Sequence, residues 1–176
     1  MKKNVIVFGL IAGLIVSVVM LTAVIACYNN PDFTGSMVVG FLSMFVAFSF
    51  IYVGVKNYRD KYNGGQITFG KAFSMGLYIA LVASTMYVVT WLFTYYLFIP
   101  DFMDKYVAHV IKDTQASGAT AAELAQTRAD MAIQAERYKN PVFVVMYTYM
   151  EILPVGILVA LVSAFLLKRK NTVVAS

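Results

Sequence analysis

The chain has 176 residues, of which 60% are hydrophobic and 13% charged, against about 25% charged in an ordinary soluble domain. Mean hydropathy is +0.73; too little polar surface remains to cover a soluble globule, so lipid is the solvent for much of the chain. One cysteine (Cys27) and one histidine (His109) exclude an internal disulfide framework, a multi-cysteine zinc site and the two- and three-histidine metal constellations.

A bilayer core of about 30 Å takes roughly 20 apolar residues per helical span, and four runs reach that length. Residues 5–27 and 36–55 carry no charge, 72–99 carry no ionisable group except tyrosine, and 142–167 contain one charge, Glu151. The third run is longer than the bilayer core at about 1.5 Å per residue, so it should tilt or protrude. No run alternates apolar with polar at every second residue, which disfavours a transmembrane barrel. The expected fold is a single all-α membrane domain over 1–176, a bundle of four spans.

Polar punctuation agrees with these cuts. Asn29, Asn30, Pro31 and Asp32 form a first turn, and Asn63-Gly64-Gly65 a second, as residues that tolerate positive φ do. Pro100 closes the third run and Pro141 opens the fourth, both places where a missing N–H costs little. Residues 101–140 form the one sizeable segment outside the spans. Phe102, Met103, Tyr106, Val107 and Val110 share a helical face, Ser117-Gly118 breaks it, and Thr120 with Glu123 gives a capping box for a second helix. Leu124, Met131, Ala135 and Tyr138 form its thin apolar stripe. A helical hairpin is expected, with a mobile Ala-rich loop as the alternative.

Charge sets the expected orientation. Lys2, Lys3, Lys56, Arg59, Lys61, Lys71, Lys168, Arg169 and Lys170 flank one side, with Asp60 the lone acid there; the long segment on the other side is rich in acids. The positive-inside rule puts both termini in the cytoplasm and 101–140 in the periplasm of a bacterial inner membrane. Trp91, Tyr95 and Tyr96 then belong to the outer interface. The net charge of +5 reads as orientation, not nucleic-acid binding.

The N-terminal run invites two readings. Lys2-Lys3 before an apolar stretch, and Val24-Ile25-Ala26-Cys27, resemble a signal with a lipobox; the run is longer than a signal's apolar region, so an uncleaved first span is expected. Small residues recur at four-residue spacing, Gly9, Gly13 and Ser17 in the first span, Ala72, Gly76, Ala80 and Ser84 in the third, and Gly156, Ala160 and Ala164 in the fourth. Such stripes let helix backbones approach in lipid, within a bundle or between copies. Gly65 to Lys71 matches seven positions of a phosphate-binding loop, but Ala72 replaces the hydroxyl residue and no strand precedes it; no nucleotide is expected.

Glu151 calls for a functional reading. It lies about 15 Å along its helix from Pro141, near mid-membrane. A carboxylate at that depth costs at least about 2.5 kcal/mol, so it should face protein or a water cavity. Pro154 leaves the Met150 carbonyl without its helical donor, an arrangement resembling the broken helices of transporters. The leading expectation is nonetheless a neutral glutamic acid hydrogen-bonded to a neighbouring helix, with Ser84, Thr85 and Ser17 at matching depth as partners; a proton or ion role and an assembly contact are the alternatives. No catalytic, metal or cofactor residue is assigned.

The stretch Tyr58-Arg59-Asp60-Lys61, then Asn63-Gly64-Gly65, Thr68-Phe69 and Lys71, resembles the DUF4199 family, small four-span membrane proteins, mainly of Bacteroidetes, without an assigned activity. The resemblance covers essentially the whole chain and implies a layout and a compartment. In this loop the cations and tyrosines suit anchoring to anionic head groups, or docking of a cytoplasmic partner. The leading expectation is a non-enzymatic scaffold or accessory protein that meets the bilayer and either its own copies or a membrane-protein partner. The alternative is a small oligomeric transporter or proton-coupled channel built on Glu151.

Overall fold

The computed structural model describes residues 1–30 and 37–169; Pro31, Asp32, Ser36 and Lys170 lie outside them. Six α-helices follow in chain order among the described residues. They are α1 (Lys2–Tyr28), α2 (Met37–Tyr62), α3 (Phe69–Phe93), α4 (Phe102–Ala116), α5 (Ala121–Tyr138) and α6 (Pro141–Leu167). Four of the helices are long and apolar enough to cross a membrane, so the all-α multi-pass architecture expected from composition is what the chain forms. At 27 residues, α1 and α6 measure about 40 Å, longer than a ~30 Å hydrocarbon core, so their ends reach the head groups or the helices tilt.

The boundaries follow local chemistry. α2 runs to Tyr62, seven residues beyond the apolar run; Lys56 to Lys61 form its last two turns, where good helix formers continue the helix after the apolar pattern stops. The Thr68 hydroxyl accepts the Lys71 amide at 3.4 Å and starts α3 three residues earlier than the apolar run suggested. Its far end widens into a π-helical turn over Thr94–Phe98 before Pro100. Asn140 caps α6 by accepting the Val142 amide at 2.9 Å, with Pro141 in the first turn.

Around the bundle, α1 packs on α2 and α3, and α6 packs on α2 and α3. The small-residue stripes make the α1–α3 and α3–α6 seams. A Cβ on Gly13 would stand 3.1 Å from the Ala83 Cα, and one on Gly76 would stand 2.9 Å from the Ala160 Cβ and 3.2 Å from its Cα. Gly156 faces Ala80 in the same way. With no hydrophobic drive between helices in lipid, such approaches supply the dispersion contact that holds them. Phe48, Ile51, Met75, Ile79 and Ile152 fill the centre and are fully buried.

At one end lie the start of α1, the α2–α3 turn and the end of α6: Asn4 Nδ2 donates to Asn57 Oδ1 at 3.0 Å, and Ile67 and Arg169 exchange backbone hydrogen bonds of 3.2 and 2.9 Å. The opposite end carries α4 and α5, a hairpin turned at Gly118 with φ 82°. The expected capping box is present: Glu123 accepts the Thr120 amide at 2.7 Å while Thr120 accepts the Glu123 amide at 3.3 Å. That backbone bond holds the Glu123 carboxyl below its ordinary range. Leu124, Met131, Ala135 and Tyr138 are covered positions of α5, together with Thr127 and Gln134, and Phe102, Met103, Tyr106 and Val107 of α4 pack onto the core. A clasp ties the hairpin to α1. Tyr28 Oη donates to Asp101 Oδ1 at 2.6 Å, and Lys105 Nζ sits 3.5 Å above the Tyr28 ring centre.

Candidate functional site: a cleft around Glu151

Below the hairpin the bundle is not filled. A cavity of about 220 Å³ is lined by Met20 of α1, Tyr87 and Trp91 of α3, and Tyr147, Thr148 and Glu151 of α6, with α4 and α5 as its roof. A second hollow of about 190 Å³ lies between α1 and α2 and shares Met20, Val24, Tyr87 and Glu151 with the first. A third, about 380 Å³, runs past Phe41, Tyr147, Met150 and Glu151 to the bundle's outer surface, where Phe41 and Met150 are exposed. Glu151 therefore stands where three hollows meet, and its side chain is exposed to them.

Helical spacing builds this arrangement. Tyr87 with Trp91, and Tyr147 with Glu151, are pairs four residues apart, so each pair shares one helix face. The roof is aromatic: Trp91 meets Phe102 edge-on at 5.2 Å, and Tyr138 meets Tyr95 at 5.6 Å and Tyr147 at 5.9 Å. Burial pushes the Tyr138 phenol well above its ordinary range, so it stays neutral.

Tyr87 Oη donates to Glu151 Oε1 at 3.5 Å, the long limit of a hydrogen bond. The expected partners behave differently. The facing of Gly76 with Ala160, and of Ala80 with Gly156, sets Ser84 level with Ile152 and Thr85 level with Glu151. Depth was thus legible, but the faces differ. Thr85 turns outward and shares a 2.7 Å bond with Tyr149 Oη. Ser84 Oγ is buried in the seam with no hydrogen-bond partner. Ser17 accepts from Thr90 Oγ1 at 3.4 Å. α6 continues helically through Pro154, which leaves the Met150 carbonyl without its usual donor.

The motif residues at the opposite end form a staple. Arg59 Nε donates to Asp60 Oδ1 at 2.6 Å and Nη1 to the Leu167 carbonyl at 3.3 Å, satisfying a carbonyl that the end of α6 leaves without a helical donor. Asn63 Nδ2 donates to the Gln66 carbonyl, and Asn63 Oδ1 accepts from Lys71 Nζ at 3.0 Å. Lys71 also lies 5.2 Å above the ring of the buried Tyr58. Gly64 and Gly65 take φ of 61° and 76°, which only glycine adopts at no steric cost. Phe69 stacks on Phe73 at 6.1 Å. The stretch resembling a phosphate loop is thus the turn and cap that start a span.

Four candidate spans, a hairpin cap and a half-open cleft define a multi-pass helical membrane protein. The family described as "Protein of unknown function (DUF4199)" matches residues 7–169, and the chain belongs to it. No curated protein and no solved structure matches.

Proposed function

We propose that this is a non-enzymatic membrane protein whose working part is the cleft, a small transporter or ligand-accepting protein of the bacterial inner membrane with Glu151 as its polar centre. The carrying observation is that a mid-span carboxylate lines three hollows while one hydroxyl, at 3.5 Å, contacts it. A carboxylate meant only to join two helices would be packed and satisfied. The basic residues gathered around the stapled end support cytoplasmic termini and a periplasmic hairpin. In that orientation the aromatic roof lies at the outer interface.

The scaffold reading loses one of its contacts, because the small-residue stripes are occupied inside the bundle. What favours it is the hairpin's outer side, where exposed Ile133 borders a groove with Asp130, Gln134, Arg137, Phe143 and Tyr147. The two readings separate on water. In a Cys27→Ser background, Glu151→Cys is exposed to a membrane-impermeant thiol reagent from the periplasmic side. Labelling of folded protein is the expected result. An unreactive thiol would overturn the cleft reading and turn the search to partners that crosslink through Ile133.

A further inference from the structure

The composition of the cleft names the chemistry of its occupant. Among the described residues, Glu151 is the sole acid lining the three hollows, and no lysine, arginine or histidine lines any of them, so an anion finds no counter-charge there. One carboxylate is too few to hold a metal ion, and no group of three or more metal-ligating side chains occurs among the described residues. A wholly apolar guest would leave the carboxylate facing hydrocarbon. Around it stand Tyr87, Trp91, Tyr106, Tyr138 and Tyr147, aromatic rings whose faces attract a cation held among them.

Size narrows the choice. A cavity of about 150 Å³ holds benzene, and the roofed cavity here measures about 220 Å³. That suits a head group of one nitrogen with three or four small alkyl substituents. A larger molecule has room to extend through the lateral hollow past Phe41 and Met150.

We propose that the cleft binds an alkylammonium group, its charge against Glu151 and its alkyl shell among the rings. This rests on the ligand-accepting reading above and specifies its ligand class. The same chemistry reaches the site from two sources, a soluble organic cation or the head group of an ammonium-bearing lipid.

Trp91 is the chain's one tryptophan and lines the cavity, so its emission reports the site directly. The full chain in nanodiscs of phosphatidylglycerol is titrated with choline, and separately with 3,3-dimethylbutan-1-ol, which has the same shape without the charge. The expected result is a saturable change with choline, none with the alcohol, and a half-saturation weakened about tenfold or more in Glu151→Gln, which keeps size and loses charge. Discs containing phosphatidylcholine suppress the response if a lipid head group is the natural occupant and leave it intact if a soluble cation is. No saturable change, an equal response to the alcohol, or an unchanged response in a folded Glu151→Gln protein would overturn the proposal. Gly70→Ala, in open space at the opposite end of the bundle and outside the three hollows, should stay within about threefold of wild type. If Glu151→Cys reacts with the thiol reagent while choline gives no response, the ligand class fails and the accessible cleft stands; an unreactive thiol removes both.

Discussion

The two ends of the bundle solve the same problem in opposite ways. At the stapled end, Arg59, Asn63, Thr68 and Lys71 each make a hydrogen bond that closes a turn or a helix terminus, and the α3–α6 seam nearby is packed to Cβ contact at Gly76 and Ala160. At the hairpin end, large rings arch over cavities, and the intramembrane carboxylate of Glu151 has, among the described residues, a single long hydrogen bond. Packing to native density and full polar pairing are how stability is secured. A region that does neither has room for a guest. The recognisable motif therefore marks the architecture, and the cleft that carries the proposed function has no motif at all.

This contrast is broken most forcefully at the seam. Gly76→Val places branched carbons against the Ala160 backbone and should cost about 3 kcal/mol or more, since overpacked seams cannot relax cheaply. Thermal or denaturant unfolding in micelles would show it, and wild-type stability would remove close packing from the account. Arg59→Ala deletes the bond to the Leu167 carbonyl and should cost about 1–2 kcal/mol in the same assay. Gly65→Ala, forced to φ 76° in open space, should cost about 1 kcal/mol. By contrast Gly70→Ala, also in open space but inside the first turn of α3, should be neutral or slightly stabilising.

Two smaller effects probe the hairpin end. The Tyr28 hydroxyl and the nearby Lys105 hold the Asp101 carboxyl below its ordinary range. A carboxyl with a lowered folded-state pKa stabilises above its unfolded value and loses that contribution as pH falls through the folded one. Acid should therefore loosen the clasp below the usual carboxylate range, and Tyr28→Phe should flatten that part of the stability profile. Glu151→Gln should change stability by less than about 0.5 kcal/mol while weakening the cleft's response to a cation about tenfold or more, because little is bonded to the carboxylate. A large stability loss there would make Glu151 a structural contact.

How much was legible follows the same division. Apolar run length, the prolines at 100 and 141 and the capping box at Thr120 and Glu123 are local signals, and the helices and hairpin they imply are present. Charge at Lys56 to Lys61 hid the last turns of α2, since hydropathy stops where the helix does not. The depth of Glu151 was readable by counting along α6. Its partner was not, because the rotation of α3 against α6 is fixed by where Gly76 and Gly156 let the backbones meet, and that choice turns Thr85 outward and Tyr87 inward. The cavities have no sequence signal beyond two aromatic and acidic pairs at four-residue spacing. They arise from what the rings leave unfilled.

The most direct measurement compares two thiols on one helix. In the Cys27→Ser background, Glu151→Cys lies in the cleft and Ser163→Cys replaces a buried serine about three turns nearer the stapled end. Rates of reaction with a small impermeant reagent are measured from each side of oriented membranes. Position 151 should react from the hairpin side and position 163 from neither. Equal rates at the two positions, or reaction at 163 alone, would contradict a closed half and an open half in one bundle.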